Sequence, residues 1–262
     1  MVPQLAIYQI DAFTNQVFTG NPAAVCPLET WLDDAVLQSI AAENNLSETA
    51  FFVPQGDAYA IRWFTPTVEV DLCGHATLAA AFVLFEHLAY SKENITFTSK
   101  SGELNVCQGE NGKLELDFPK QAPVPCAIPQ LIAQAFGDAI KTCLKAEDYV
   151  VVFHDEAAVR AANPEMALLR QLDLRGVVIT ATAKEYDFVS RFFAPNCGID
   201  EDPVTGSSFT QLAPYWSDIL GKQKLAAKQV SKRGGEVWCE AAGDRVYISG
   251  QAVMYLKGMI SF

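Results

Sequence analysis

Apolar and polar residues alternate along much of the chain in short runs that predict many β-strands. The first run covers Leu5–Phe13, and two others cover Leu46–Val53 and Gly176–Thr180. Residues 95–118 alternate in short pieces broken by glycines, which is typical of meandering antiparallel strands. The pattern therefore predicts many short strands along the chain.

A smaller number of segments have helical spacing. Residues 33–43 place Val36, Leu37 and Ile40 on one face, as in an amphipathic helix. An apolar run predicts a helix over about residues 75–88, and another helix is predicted to begin at Gly206. The longest apolar run, Ala76–Phe85, is about half of the ~20 residues that a membrane span needs, so we expect a buried helix and no membrane association.

A stretch rich in proline divides the chain near its middle. Prolines stand at positions 119, 123, 125 and 129, which makes this stretch the best candidate for a linker. We expect an N-terminal half over residues 1–118 and a C-terminal half over residues 119–262. The last strand of the chain is expected to be able to pack back on the first half.

The two halves carry a short internal repeat. Arg62-Trp-Phe-Thr-Pro66 and Arg191-Phe-Phe-Ala-Pro195 share a pattern and lie 129 positions apart, close to half the chain length. Each is followed by an acidic loop, a glycine and a helix, and the glycines are Gly74 and Gly206. The repeat suggests duplicated halves related by a pseudo-twofold axis, whose two glycine–helix junctions can face each other across a cleft.

The chain is strongly acidic, with a formal net charge of −12. A field of that sign repels phosphate backbones, which makes nucleic acid a poor partner. It also repels small anions, unless a local site attracts them. Helix N-termini provide such a site because their N–H groups are unpaired and carry partial positive charge. A small anionic, carboxylate-bearing substrate is therefore compatible with this composition.

Cysteine and histidine usage argues against a metal site. The chain has seven cysteines without a C-x-x-C pair and only three histidines, so the clustered spacing of a zinc site is absent. We expect reduced thiols in a cytoplasmic protein, and no metal. The first residues lack the basic and apolar regions of a signal peptide.

Glu48 is an unusual residue in its context. It is the only charged residue between Glu43 and Asp57, within a run that otherwise reads as an apolar strand. Burial of a carboxyl group raises its pKa toward neutrality, which suits a general acid or base. A solvent-facing residue at a strand edge is an equally good interpretation of the sequence alone.

Further candidates lie at the two glycine–helix junctions. His75 follows Gly74, and a helix N-terminus favours the neutral imidazole, although a capping or core histidine is an alternative. Cys73 could be an acid–base thiol, since a helix end lowers the pKa of a thiol. In the second half, Asp202 precedes the junction and Ser207 follows Gly206. They also fit an ordinary acidic turn and a capping serine.

Four motifs together resemble the phenazine-biosynthesis PhzF-like isomerase family, over nearly the whole chain. They are Gly20-Asn-Pro-Ala-Ala-Val25, Asn45-Leu-Ser-Glu-Thr-Ala-Phe51, Cys73-Gly-His-Ala-Thr77 and Glu201-Asp-Pro-Val-Thr-Gly-Ser207. The resemblance implies an α/β (α+β) protein with a diaminopimelate epimerase-like fold: two similar halves, related by a pseudo-twofold axis, each a curved, mainly antiparallel sheet around a central helix. It also implies a homodimer without metal or organic cofactor.

The resemblance further implies roles for the candidate residues. Glu48 would be the proton shuttle, while His75, Asp202 and Ser207 would position the substrate and assist proton transfer. The N–H groups around Gly74 would bind the carboxylate, and the remaining expected substrate-binding residues are Cys73, Gly206 and Ser208.

One departure from the epimerases bears on the reaction. Those enzymes carry two opposed cysteines, each before a glycine at a helix start, whereas this chain has Cys73 in one position and Thr205 in the other. A two-thiol racemisation is thereby disfavoured, which leaves Glu48 as the best base. An epimerase that uses Cys73 with Glu48, and a non-catalytic carboxylate-binding protein, remain alternatives.

Overall fold

The structure, a computed structural model, describes residues 3–262, which divide into two compact units. One unit holds the chain up to Asp117 together with Ser249–Phe262, and the other holds Phe118–Ile248. The elements of the first stretch are β1 (Gln4–Ala12), β2 (Asn21–Pro27), α1 (Asp34–Asn44), β3 (Glu48–Gln55), β4 (Ala58–Phe64), β5 (Glu69–Val70), α2 (Gly74–His87), β6 (Asn94–Ser99), β7 (Gly102–Gln108) and β8 (Leu114–Pro119).

The rest of the chain is also mostly sheet. Its elements are β9 (Val124–Pro125), α3 (Gln130–Phe136), β10 (Ile140–Lys145), β11 (Tyr149–Phe153), α4 (Glu156–Ala161), α5 (Met166–Leu169), β12 (Val177–Thr182), β13 (Phe188–Ala194), β14 (Ile199–Asp202), α6 (Phe209–Leu220), β15 (Lys224–Gln229), β16 (Gly235–Ala242), β17 (Arg245–Gly250) and β18 (Ala252–Ser261). A single 3-10 turn, Gly206–Ser208, leads into α6.

The sheet of the first unit follows a definite order of pairings. The pairs β1–β2, β3–β4 and β6–β7 are antiparallel, whereas β2–β3 and β4–β6 are parallel. The final strand β18 returns to this unit and pairs with β1 in antiparallel fashion. Helix α2 packs against β1, β2, β3 and β18. Its residues are apolar on almost every side, which accounts for its burial in the middle of the unit.

The second unit repeats the same succession of pairings. The pairs β10–β11, β12–β13 and β15–β16 are antiparallel, whereas β11–β12 and β13–β15 are parallel. The short strands β5 and β14 add to β4 and β13 at the matching places. Helix α6 corresponds to α2 in this order and packs against β15 and β16. The internal repeat of the sequence is therefore also a repeat of topology.

Each unit has its own apolar core. In the first, Leu37 and Ile40 of α1 pack with Phe51 and Phe64. In the second, Ile132, Val159 and Leu169 of the three short helices pack against β11, β12 and β13. None of the helices within residues 3–262 is long and apolar enough to cross a membrane.

The predicted helices correspond closely to the observed ones, with one exception. Helix α1 ends at Asn44, where Asn45 takes a left-handed conformation with φ of 49°. Helix α2 begins at Gly74 and α6 continues through Pro214, as the patterns indicate. The exception is the helix predicted to begin at Gly206, since Gly206–Ser208 forms a 3-10 turn and α6 itself begins at Phe209.

Candidate active site

The start of α2 brings two candidate residues into the interior of the first unit. Cys73 has extended backbone and caps the helix that Gly74 begins. The hydroxyl of Thr77 donates to the carbonyl oxygen of Cys73 at 2.6 Å, and its backbone N–H donates to the same oxygen at 3.1 Å. These bonds fix the first turn, so Cys73 and His75 are held in place by the backbone of a buried helix.

Glu48 is the first residue of β3, and it is buried. Its register partner on the parallel strand β2 is Ala23. Only 8% of Glu48 is exposed. The structure thus excludes the solvent-facing interpretation of this residue and favours the chemical one.

The carboxylate of Glu48 meets the imidazole of His75. The Oε2 atom of Glu48 lies 3.1 Å from Nε2 of His75, and both side chains are almost fully enclosed. Neither atom has a well-aligned hydrogen bond within the described residues. Buried polar atoms are rarely left in this condition, because an unmade bond costs about 1–3 kcal/mol. The two atoms therefore retain hydrogen-bonding capacity that a bound molecule can use.

The other ring nitrogen of His75 faces two different groups. Its Nδ1 atom lies 3.3 Å from the amide nitrogen of Asn21 and 3.5 Å from Sγ of Cys73. The hydroxyl of Ser47 donates to Oδ1 of Asn21 at 3.2 Å, which directs the amide nitrogen toward the ring. His75 consequently faces Glu48 through Nε2, and Asn21 and Cys73 through Nδ1.

Burial governs the protonation of this cluster. It raises the pKa of Cys73 to about 11, with a further upward contribution from Glu48, so the thiol is neutral at physiological pH. Burial by itself lowers the pKa of His75, but negative charge on Cys73 and on Glu48 raises it well above its ordinary value when both are ionised. Because Cys73 is neutral near pH 7, its charge does not raise the pKa of His75 there.

The same cluster has the composition of a metal site. One oxygen of Glu48, Sγ of Cys73 and one ring nitrogen of His75 lie within 4.8 Å of one another. Zinc takes such ligands, but they must face a common centre. The three ligand atoms lie close to one another, although His75 directs different ring nitrogens at Cys73 and at Glu48. The expectation that no metal takes part stays a prediction.

The candidates of the second unit form a hydrogen-bonded loop before α6. Asp202, 9% exposed, accepts a bond from the hydroxyl of Thr205 at 2.5 Å. Gln229 is fully buried: its amide nitrogen donates to the carbonyl of Asp202 at 2.7 Å, and its Oε1 accepts from the N–H of Thr205 at 3.0 Å. Thr205 precedes Gly206 as Cys73 precedes Gly74, and its hydroxyl helps to hold the carboxylate of Asp202 in place.

The remaining residues of that loop are arranged around the 3-10 turn. Gly206 and Ser208 are buried, and Ser208 donates to the carbonyl of Thr205 at 2.8 Å. Ser207 is half-buried, and its carbonyl accepts from the hydroxyl of Thr210 at 2.7 Å. The structure thus brings Glu48, Cys73 and His75 together in one unit, and gathers the later candidates in the other.

Sequence reasoning missed three residues of these clusters. Asn21 belonged to a motif that by itself indicated only a turn, and Thr205 was noted only for not being a cysteine. Gln229, at the end of β15, gave no signal. The one usable signal for Asn21 was the preceding Gly20, which has φ of +68° and no room for a Cβ beside Ala12 and Thr14.

Comparison with known proteins identifies the class to which this site and fold belong. Residues 10–258 match the family described as phenazine biosynthesis-like protein (PhzC-PhzF). A Pseudomonas aeruginosa protein named Uncharacterized isomerase PA2770 is 52% identical over 257 residues, which cover 98% of this chain and 99% of the relative. The chain belongs to this family and is an isomerase, as are its relatives of about 50% identity by name.

Solved structures give the same result for the fold. A PhzF-family protein from Enterococcus faecalis is 47% identical, with a TM-score of 0.97 over 99% of this chain and 100% of its own. A hydroxyproline epimerase from Agrobacterium vitis is 10% identical, with a TM-score of 0.64 over 98% of this chain and 92% of its own. The expected mixed fold of the diaminopimelate epimerase type is thereby confirmed.

Proposed function

We propose that this protein is a cofactor-independent isomerase that moves a proton, and with it a double bond, within a small cyclic or unsaturated carboxylic acid. The observation that carries this proposal is the buried contact between Glu48 and His75, in which both facing atoms keep unused hydrogen-bonding capacity. A buried carboxylate beside an imidazole suits general acid–base chemistry. Family membership supports the reaction class.

In the proposed reaction Glu48 acts first as base and then as acid. Its carboxylate takes a proton from a carbon next to an activating group, and the electron pair of that C–H bond moves into the conjugated system. The protonated Glu48 then returns a proton to another carbon of the same system. The sequence is balanced, since one C–H bond breaks and another forms.

The other candidates have proposed supporting roles. His75, whose Nε2 lies 3.1 Å from Oε2 of Glu48, is proposed to orient the reacting carboxyl, and Asp202 and Ser207 are proposed as further catalytic residues. Gly74, Gly206, Ser208 and Cys73 are proposed to contact an anionic substrate, which fits the unpaired N–H groups of a helix start.

Exchange with solvent deuterium tests the proposal directly. A hydroxylated dihydroanthranilate and a panel of unsaturated carboxylic acids are incubated with the protein in D₂O, and incorporation is followed by NMR. We expect deuterium in an isomerised product, and a loss of about 10³-fold in rate for Glu48→Gln. Glu43→Gln, which changes an exposed glutamate of α1, is the matched control. Unchanged exchange in Glu48→Gln on a proven substrate refutes the assignment.

An epimerase that uses Cys73 is the second candidate function. It is favoured by the position of Sγ, 3.5 Å from His75, but the pKa of about 11 leaves little thiolate. Stereochemical inversion without a double-bond shift, abolished by Cys73→Ser, would support it. A non-catalytic carboxylate-binding protein would bind an acid from the panel without any exchange.

We further propose that the protein forms a homodimer. Strand β18 carries exposed Tyr255 and Met259, and the exposed ring of Phe18 packs against Tyr255 with ring centres 5.5 Å apart. Exposed apolar surface of this kind marks protein interfaces. Light scattering coupled to gel filtration gives the mass: twice the 28.6 kDa of the chain supports the proposal, and a monomer contradicts it.

A further inference from the structure

The hydrogen bonds around His75 assign its tautomer. The amide group of Asn21 is oriented by Ser47, whose hydroxyl donates to Oδ1, so Nδ2 is the atom that faces Nδ1 of His75 at 3.3 Å. An amide nitrogen is only a donor, and Nδ1 must therefore accept. Asn21 is fully buried, so water does not compete for this contact.

The second group that faces Nδ1 is also a donor. Sγ of Cys73 lies 3.5 Å from Nδ1, and burial keeps Cys73 as a thiol at neutral pH because its pKa is raised to about 11. A thiol carries one weak donor. Two donors thus converge on Nδ1, while Nε2 meets the carboxylate of Glu48, which only accepts.

We propose that Asn21, assisted by Cys73, is a positioning residue that keeps Nδ1 of His75 unprotonated and places its single ring proton on Nε2, toward Glu48. The ring is then neutral in the resting protein. A cation beside a carboxylate weakens it as a proton acceptor, whereas a neutral N–H group orients it at a smaller cost. Asn21 thereby preserves Glu48 as a base by acting through the ring of His75.

The effect on Glu48 as a base rests on the proposed function, but the tautomer of His75 can be measured without a substrate. The whole protein is labelled with ¹⁵N-histidine, and two-bond ¹H–¹⁵N correlation spectra are recorded at pH 7. The chain has three histidines, so His87→Gln and His154→Gln variants assign the remaining signals to His75. We expect a pyridine-type shift for Nδ1 and a pyrrole-type shift for Nε2.

Asn21→Asp gives the sharpest contrast because it nearly preserves shape and replaces the donor by an acceptor. In this variant we expect Nδ1 to become protonated, either as the other tautomer or as imidazolium. Asn44→Ala is the control, since it removes an amide bond to the hydroxyl of Thr49 in the same unit without touching His75, and its spectrum should match the wild type.

Protonated Nδ1 in the wild type overturns the proposal, and so does an unprotonated Nδ1 in a folded Asn21→Asp protein. If the variant does not fold, the wild-type spectrum alone decides. Deuterium exchange that survives Glu48→Gln would instead overturn the proposed function and leave the tautomer assignment standing.

Discussion

Arg62 holds the carboxylate of Glu69 with two parallel N–H donors, Nε to Oε1 at 2.8 Å and Nη2 to Oε2 at 2.9 Å. Glu69 lies in the acidic loop that leads to the start of α2. The same guanidinium lies 5.1 Å from the ring centre of Phe64, two residues further along β4. Arg62 of β4 therefore holds Glu69, and with it the segment that precedes α2, against the sheet.

The repeat places the same arrangement in the second unit. Arg191 donates from Nε and Nη2 to the carboxylate of Glu201 at 2.6 and 3.0 Å, and it lies 5.1 Å from the ring of Phe193. Its Nη1 also donates to the carbonyl of Ala162, just after α4. The Arg-aromatic-Phe motif thus recurs because each copy fastens an acidic loop, and it need not take part in the reaction.

Replacement of either arginine by lysine should destabilise the protein, because lysine cannot form the two parallel bonds. We expect a loss of about 1–2 kcal/mol of unfolding free energy for Arg62→Lys and about 2–3 kcal/mol for Arg191→Lys, which also loses carbonyl contacts. Urea denaturation measures both. Arg160→Lys, at an exposed pair with Glu156, should cost less than about 0.5 kcal/mol. Equal losses of unfolding free energy in all three variants would contradict the structural role of Arg62 and Arg191.

The pH dependence of Glu69 provides a separate prediction. The hydrogen bond from Arg62 lowers its pKa to about 2, from an ordinary value near 4.5. A carboxyl group with a lowered pKa stabilises the folded state fully above its unfolded pKa and loses this contribution as the pH falls through the folded value. The advantage of the wild type over Glu69→Gln, about 2 kcal/mol at pH 7, should therefore shrink between about pH 4.5 and pH 2.

Unfolding free energies of the wild type and Glu69→Gln at several pH values between 7 and 3 give this difference. The exposed Glu43 on α1 serves as a baseline through Glu43→Gln. A wild-type advantage that stays constant over the whole range would show that Arg62 does not hold an ionised Glu69.

The fold and the candidate residues of the first unit could be predicted from the sequence. The hydrogen bonds that hold the candidate side chains in position could not. Apolar periodicity located α1 and α2 because burial alone determines those patterns. The isolated charge of Glu48 marked it as unusual, but only the register of β3 decides that it faces inward. Asn21 and Gln229 act through hydrogen bonds to residues 54 and 24–27 positions away in the chain. Such contacts depend on tertiary structure, and no local pattern encodes them.

The thiol of Cys73 should be unreactive in the folded protein. Burial raises its pKa to about 11, so about one thiol in a thousand is ionised at pH 8, and the thiolate is the reactive form. Iodoacetamide labelling followed by mass spectrometry should modify the exposed Cys197 first and Cys73 only after unfolding. Cys197→Ser should remove the fast phase. Rapid native labelling of Cys73 would contradict the burial and revive the thiol-based epimerase.

Gln229 should be essential for the stability of the loop that carries Asp202. Its buried amide satisfies the carbonyl of Asp202 and the N–H of Thr205 at once, and its Nε2 also lies 3.3 Å from the Thr205 hydroxyl. Gln229→Leu removes both of these buried hydrogen bonds, which should cost about 2–4 kcal/mol of unfolding free energy. Gln229→Glu retains an acceptor for Thr205 but loses the donor to Asp202, so it should not restore stability.

Gln171→Leu, at an exposed glutamine that bonds the carbonyl of Ala167, is the matched control and should change stability by less than about 0.5 kcal/mol. If Gln229→Leu is as stable as this control in urea denaturation, the loop before α6 is held by other contacts, and Gln229 does not position Asp202.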